Sequence, residues 1–138
     1  MTILDHLAAH ARNRVAADQA ENSLDVLQAQ CRARGRAHGA RFRGALEKPG
    51  LSFICEVKRA SPSKGVIAEN FPYLEIARDY ERAGADAISC LTEPKWFLGS
   101  DQIFREIRGA VDTPMLRKDF TVDAYQLYQA RLLGADCV

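Results

Sequence analysis

Twice in this chain a helical stretch runs into the same ending. "YERAGADAI" (80–88) and "YQARLLGADCV" (128–138) both place Gly, then Ala-Asp, ahead of an apolar run. Gly84 and Gly134 suit the left-handed backbone position just past a helix C-terminus. From Leu51 onward, apolar runs of strand length alternate with helical patterns. "LSFICEVK" precedes a helix near Pro72–Ala83, "DAISCLT" one near Asp101–Ala110 and "PMLRKDF" one near Ala124–Leu133, and "ADCV" starts a further strand. Pro72, Ser100 and Asp123 stand at the helix starts as first-turn or capping residues. Successive strand–helix units dictate parallel strands with right-handed crossovers. A doubly wound sheet and a (β/α)8 barrel both satisfy this, and both put active sites at the C-terminal ends of strands. Polar and charged residues gather there: Glu56 and Lys58, Thr92 and Glu93, and Arg117, Lys118 and Asp119. No GxGxxG follows the first strand, so a dinucleotide-binding reading loses its main support.

Residues 1 to about 48 follow another rhythm, rich in Ala, Arg and Gln without β-branched runs. Ile3, Leu4, Leu7, Ala8, Ala11 and Val15 recur at helical spacing and predict an amphipathic helix. Asn22 or Ser23 caps a second helix with Leu24, Leu27 and Cys31 inward. Gly35, Gly39 and Gly44 are expected to break up the stretch after that helix, and the basic run from Arg32 to Arg43 reads as a solvated face. The chain thus divides into a helical extension (1–48) and three βα units plus the start of a fourth strand (49–138). A (β/α)8 barrel takes about 250 residues. The expected fold is therefore α/β: the N-terminal half of a (β/α)8 TIM barrel behind an extra helical segment.

Nineteen basic against eighteen acidic side chains leave a net charge of +1. That balance gives no reason to expect nucleic acid or a membrane as partner, but it allows a small anionic ligand held by local charges. Cys31, Cys55, Cys90 and Cys137 form no CxxC pair and have no His at ligand spacing, so they read as reduced, buried thiols rather than a disulfide or zinc framework. No run has signal-peptide or membrane-spanning character. The expected location is the cytoplasm.

Strand alternation sets Ile54, Glu56 and Lys58 on one face, and Phe53, Cys55 and Val57 on the other. The second set is apolar and suits packing against helices. The first turns polar toward its C-terminal end, either as an active-site wall or as a structural ion pair closing a barrel mouth. In the third strand Leu116, Lys118 and Phe120 share a face. If that face lines a barrel, Lys118 points into the same space as Glu56 and Lys58. Two ammonium groups beside one carboxylate suit an anionic, oxygen-rich substrate, and crowded cations lower a lysine's proton affinity, as a general acid requires. The competing reading is a snorkelling edge lysine. "SPSKG" (61–65) offers Ser61, Ser63 and Lys64 to a substrate, or is an ordinary turn. "TEPKWFLGS" (92–100) puts Trp96, Phe97 and Leu98 in a loop, where they pack on the N-terminal segment or wall an aromatic substrate.

"EVKRASPSKG", "LTEPKWFLGS" and "LRKDFTVDAYQLYQARLLGAD" resemble, in order and spacing, the indole-3-glycerol phosphate synthase family of tryptophan biosynthesis. The resemblance covers nearly all of residues 51–138, and the N-terminal helices look like that family's segment ahead of the barrel. It implies a (β/α)8 barrel with no metal and no organic cofactor. It implies a carbon–carbon lyase acting on a small anionic phosphosugar-anthranilate, 1-(2-carboxyphenylamino)-1-deoxyribulose 5-phosphate, with release of carbon dioxide and water. By the same resemblance Lys118 is the general acid for ring closure, Glu56 assists proton handling, and Lys58 contacts substrate anions and has an acid role of its own. Ser61 falls in the mobile loop after the first strand, and Phe97 and Phe120 fall around the anthranilate pocket. The family's fifth-strand glutamate, sixth-strand asparagine and phosphate loops have no counterpart before Val138. The 138 residues alone are therefore expected to be inactive. Two other readings stand beside this one: another phosphate-sugar barrel enzyme such as phosphoribosylanthranilate isomerase, and a truncated, non-catalytic half-barrel.

Overall fold

The structure, a computed structural model, describes residues 1–35 and 39–138. The middle of the basic run, 36–38, lies outside the described residues. On either side of it Arg32, Arg34, Arg41 and Arg43 are exposed, as a solvated face requires.

Helix α1 (Ile3–Glu21) opens with a capping box in which Thr2 and Asp5 satisfy each other's backbone N–H groups. Its apolar stripe is narrower than the spacing predicts: Leu7, Ala11 and Val15 are buried, whereas Ile3 and Leu4 face solvent. Ser23 caps α2 (Leu24–Ala33), which buries Leu27 and leaves Leu24 exposed. Val15 and Leu27 close around Tyr125 in a small core of their own. The expected glycine break fails in one place. Helix α3 (Gly39–Leu46) runs straight through Gly44. An interior glycine costs about 1 kcal/mol relative to alanine, and burial of Phe42 offsets that cost.

The sheet is a parallel arc of β1 (Ile54–Val57), β4 (Ala87–Leu91) and β5 (Met115–Lys118), in the order β1-β4-β5. Between β1 and β4 the chain makes an antiparallel hairpin, β2 (Ala60–Ser61) with β3 (Gly65–Val66), and then α4 (Tyr73–Arg82). Helices α5 (Asp101–Ala110) and α6 (Ala124–Leu133) follow β4 and β5. Ser100 caps α5, Asp123 forms a capping box on α6, and Gly84 and Gly134 take φ of +83° and +87° at the helix ends. A bridge between Leu116 and Cys137 begins the next strand position. These are the first three strand–helix units of a (β/α)8 barrel.

One face of the arc is the core. Val57, Ile88, Cys90 and Met115 pack against Ala77, Phe104, Ile107 and Leu133 of the helices. Full burial of each such large side chain contributes roughly 1.5–3 kcal/mol. Phe53 is the exception to the predicted alternation. It lies one residue outside β1 and is 60% exposed. The other face carries Ile54, Glu56, Ser89, Leu91, Leu116 and Lys118. Among the described residues no helix is long and apolar enough to cross a membrane.

Candidate active site at the strand ends

Parallel register puts the predicted residues on one face, with Glu56 two residues below the level of Lys118. Glu56 pairs with Ser89, Ser89 with Leu116, and Leu91 with Lys118. Paired residues in a ladder share a face, so all of them line the side turned away from the helices. Lys58 continues that alternation one residue past β1. β4 lies between β1 and β5, so roughly 10 Å, two strand spacings, separates the Glu56–Lys58 end from Lys118.

The two lysines differ. Lys58 Nζ sits 3.0 Å from Glu56 Oε1, and each side chain is about a third exposed. Tyr80 pins the strand beneath them by donating to the Glu56 carbonyl at 3.0 Å. Lys118 is exposed; its carbonyl accepts from Thr92 N–H at 3.0 Å, but its ammonium has no hydrogen bond or ion pair among the described residues. It borders a cleft of about 390 Å³ together with Leu91, Phe97, Leu116, Asp119 and Phe120. The rings of Phe97 and Phe120 stand 6.2 Å apart, tilted by 43°. A second cavity of about 330 Å³, between α1 and α6, is no rival. Three of its polar residues already engage each other, with Tyr125 donating to the Asp18 carbonyl and Gln129 to the Asp18 carboxylate.

Ser61 stands apart. The "SPSKG" segment is the tight turn of the β2–β3 hairpin. The Ser61 hydroxyl accepts from Lys64 N–H at 3.3 Å and meets Ser63 Oγ at 3.5 Å. Arg117 is corrected more sharply. It alternates onto the helix side, where it is buried, bonds Asp101 at 3.0 Å and donates to the Gln126 carbonyl. It braces α5 and α6 rather than facing the mouth.

Beneath the cleft lies a buried carboxylate pair that sequence reasoning placed at the mouth without finding its partners. Asp119 accepts from Arg14 at 2.6 and 3.2 Å, from Thr92 Oγ1 at 2.7 Å and from Phe120 N–H at 2.7 Å. Burial alone lowers the proton affinity of Arg14, but the hydrogen bond and charge of Asp119 outweigh it, so its pKa stands above the ordinary value. Glu93 gathers the N–H groups of Lys95, Trp96 and Phe97 at 2.7–3.0 Å. This folds the loop after β4 into a turn that needs glycine at its end, because a Cβ on Gly99 would collide with the Leu91 carbonyl oxygen. In the aromatic loop Trp96 packs edge-on against His10 of α1, as the packing reading expects, while Phe97 lines the cleft. The one available signal for His10 and Arg14 was their i, i+4 spacing beside the apolar stripe of α1. On the opposite face Cys90, beneath the helices, has its thiol pushed up to about 12 by burial and the nearby Asp101 charge.

A parallel strand–helix repeat whose polar groups converge at the C-terminal strand ends is what the first half of a TIM-barrel protein presents. Residues 4–138 match the family model of indole-3-glycerol phosphate synthase. The chain is 51% identical over 136 residues to the indole-3-glycerol phosphate synthase of Ruminiclostridium cellulolyticum, covering 99% of this chain and 52% of that relative. It is 46% identical to the one from Endomicrobium trichonymphae (99% and 53% covered) and 49% identical to the one from Lacticaseibacillus paracasei (96% and 51% covered). The chain belongs to the indole-3-glycerol phosphate synthase family. It spans about half the length of the curated relatives it matches.

Proposed function

We propose that this chain carries the ring-closing part of an indole-3-glycerol-phosphate synthase site, a tryptophan-pathway lyase working in the cytoplasm on 1-(2-carboxyphenylamino)-1-deoxyribulose 5-phosphate. The observation that carries the reading is Lys118: a cation at a strand end whose ammonium has no partner among the described residues, beside a cleft walled by two phenyl rings. Such a cleft suits an arene joined to an oxygen-rich chain. In ring closure an arene carbon bonds to the sugar carbonyl carbon, and negative charge develops on the carbonyl oxygen. The Lys118 ammonium stabilises that charge and delivers a proton to it. Phe97 and Phe120 hold the ring. Lys58 faces the substrate's anionic groups while Glu56, 3.0 Å from it, fixes its position and exchanges protons. Departure of carbon dioxide and then water restores aromaticity, and a dry enclosure favours both steps. Ser61 would contribute if the β2–β3 hairpin folds over the mouth. The scheme uses ammonium and carboxylate chemistry alone.

The test is turnover by the intact gene product. Conversion of this substrate to indole-3-glycerol phosphate, identified by its mass and indole fluorescence, is the expected result. Lys118→Ala should lower the rate by about 10³-fold. Isomerisation of phosphoribosylanthranilate instead, or a rate indifferent to Lys118→Ala, would overturn the reading.

A further inference from the structure

Helix α1 presents His10 and Arg14 one turn apart, on one side of the helix. Each reaches a buried carboxylate at the end of a different strand. Arg14 grips Asp119 with two nitrogens, at 2.6 and 3.2 Å. His10 Nδ1 lies 3.4 Å from Glu93 Oε1, within ion-pair range though off hydrogen-bond geometry, and its ring meets Trp96 edge-on at 5.3 Å. Both carboxylates are 1% exposed. These same carboxylates hold the backbone of the cleft's two phenylalanines: Asp119 accepts from Phe120 N–H at 2.7 Å, and Glu93 from Phe97 N–H at 3.0 Å.

We propose that His10 and Arg14 are positioning residues through which α1 sets the spacing of Phe97 and Phe120, and so the seat of the arene. The inference rests on the ring-closing reading above and extends it to the N-terminal helix. Neither residue borders the cleft. Each acts through a carboxylate. A two-point guanidinium–carboxylate contact fixes orientation as well as distance. Without Arg14, Asp119 would keep Thr92 at 2.7 Å and be drawn toward Arg117, now 4.0 Å away on the helix side. Phe120 would turn with it, and so would Lys118, which lies between Arg117 and Asp119 in the chain.

The experiment is fluorine NMR of the intact gene product labelled with 4-fluorophenylalanine, with the two cleft signals assigned through Phe97→Leu and Phe120→Leu. Arg14→Met should shift or broaden the Phe120 signal. His10→Leu, which leaves the Arg14–Asp119 pair intact, should do the same to Phe97. Phe42, Phe53, Phe71 and Phe104 should stay in place in both variants. Arg14→Met should also lower kcat/KM about 100-fold with the larger share in kcat, as expected for a misplaced reacting group, and Arg14→Lys should recover part of the loss. Unmoved Phe97 and Phe120 signals would overturn the proposal, and so would a shift of these two together with those of Phe42, Phe53, Phe71 and Phe104, which would report lost folding. If the parent protein shows no turnover, the ring-closing reading falls, while the fluorine signals still decide whether α1 sets the rings.

Discussion

The two ends of the sheet use one device for different purposes. At the N-terminal strand ends, carboxylates stitch loops by accepting backbone N–H groups. Asp86 accepts from Phe53, Asp136 from Met115, and Glu81 from both Asp112 and Thr113, at 2.6–2.9 Å. Nearby cations are fully used: Lys48 pairs with Asp86, and Arg108 pairs with Asp136 while donating to the carbonyls of Val111 and Thr113. At the C-terminal ends Glu93 and Asp119 stitch in the same way, but Lys118 is left over beside a cleft. Charge density at a strand end therefore does not by itself mark a site. What distinguishes the C-terminal end is a cation without a partner among the described residues, next to space for a ligand.

Exchanging one lysine at each end gives the largest contrast. Lys118→Met should cut turnover about 10³-fold while moving stability by no more than about 0.5 kcal/mol. Lys48→Met should leave turnover nearly unchanged and cost about 1 kcal/mol or less, since that pair is partly exposed. Steady-state kinetics and urea midpoints on the two variants check both halves. Similar losses of turnover in both would break the distinction between the ends.

Removing Arg108 should be the costliest change at the N-terminal ends. Asp136, 7% exposed, would lose its cation, and two carbonyls would lose their donor. Arg108→Met should destabilise by about 3 kcal/mol, read from denaturant unfolding, with kcat retained in the folded fraction.

Two glycines sharpen the comparison on a smaller scale. Gly99→Ala, beneath the cleft, should cost about 2 kcal/mol, because its Cβ would enter the Leu91 carbonyl. Gly44→Ala, in α3 with nothing within 4 Å, should stabilise by about 0.5–1 kcal/mol. Thermal midpoints of opposite sign are the expected outcome.

The smallest effect is on pH dependence. The N–H groups of Thr113 and then Asp112 hold the Glu81 carboxyl below its ordinary value of 4.5. A depressed carboxyl contributes stability that is fully present above that ordinary value and is lost as pH falls through the folded value. Thermal midpoints of the parent protein should therefore drop more steeply below pH 4.5 than those of Glu81→Gln. Identical slopes would show that Glu81 contributes nothing there.

Much of the fold was legible because its signals are short-range. Ser100 and Asp123 cap the helices they precede, and Gly84 and Gly134 sit left-handed at the predicted places. Alternation correctly put Val57 toward the helices and Glu56 with Lys118 on the opposite face. It failed at Phe53, where the strand had not yet begun, and the expected glycine break failed at Gly44, where the burial of nearby Phe42 outweighed propensity. The β2–β3 hairpin escaped notice because two-residue strands carry no periodicity.

By itself, then, the order of residues determined the elements, their parallel succession and the faces they present, since capping, backbone preference and alternation act over a few positions. Which charges are spent and which stay available was decided only in three dimensions. Arg14 meets Asp119 across 105 residues of chain, and Arg117, adjacent to Lys118, turns away to Asp101. The worth of an ion pair depends on burial and on neighbours brought together by packing. That is why neighbouring cations on β5 became a structural brace and an ammonium with no partner among the described residues.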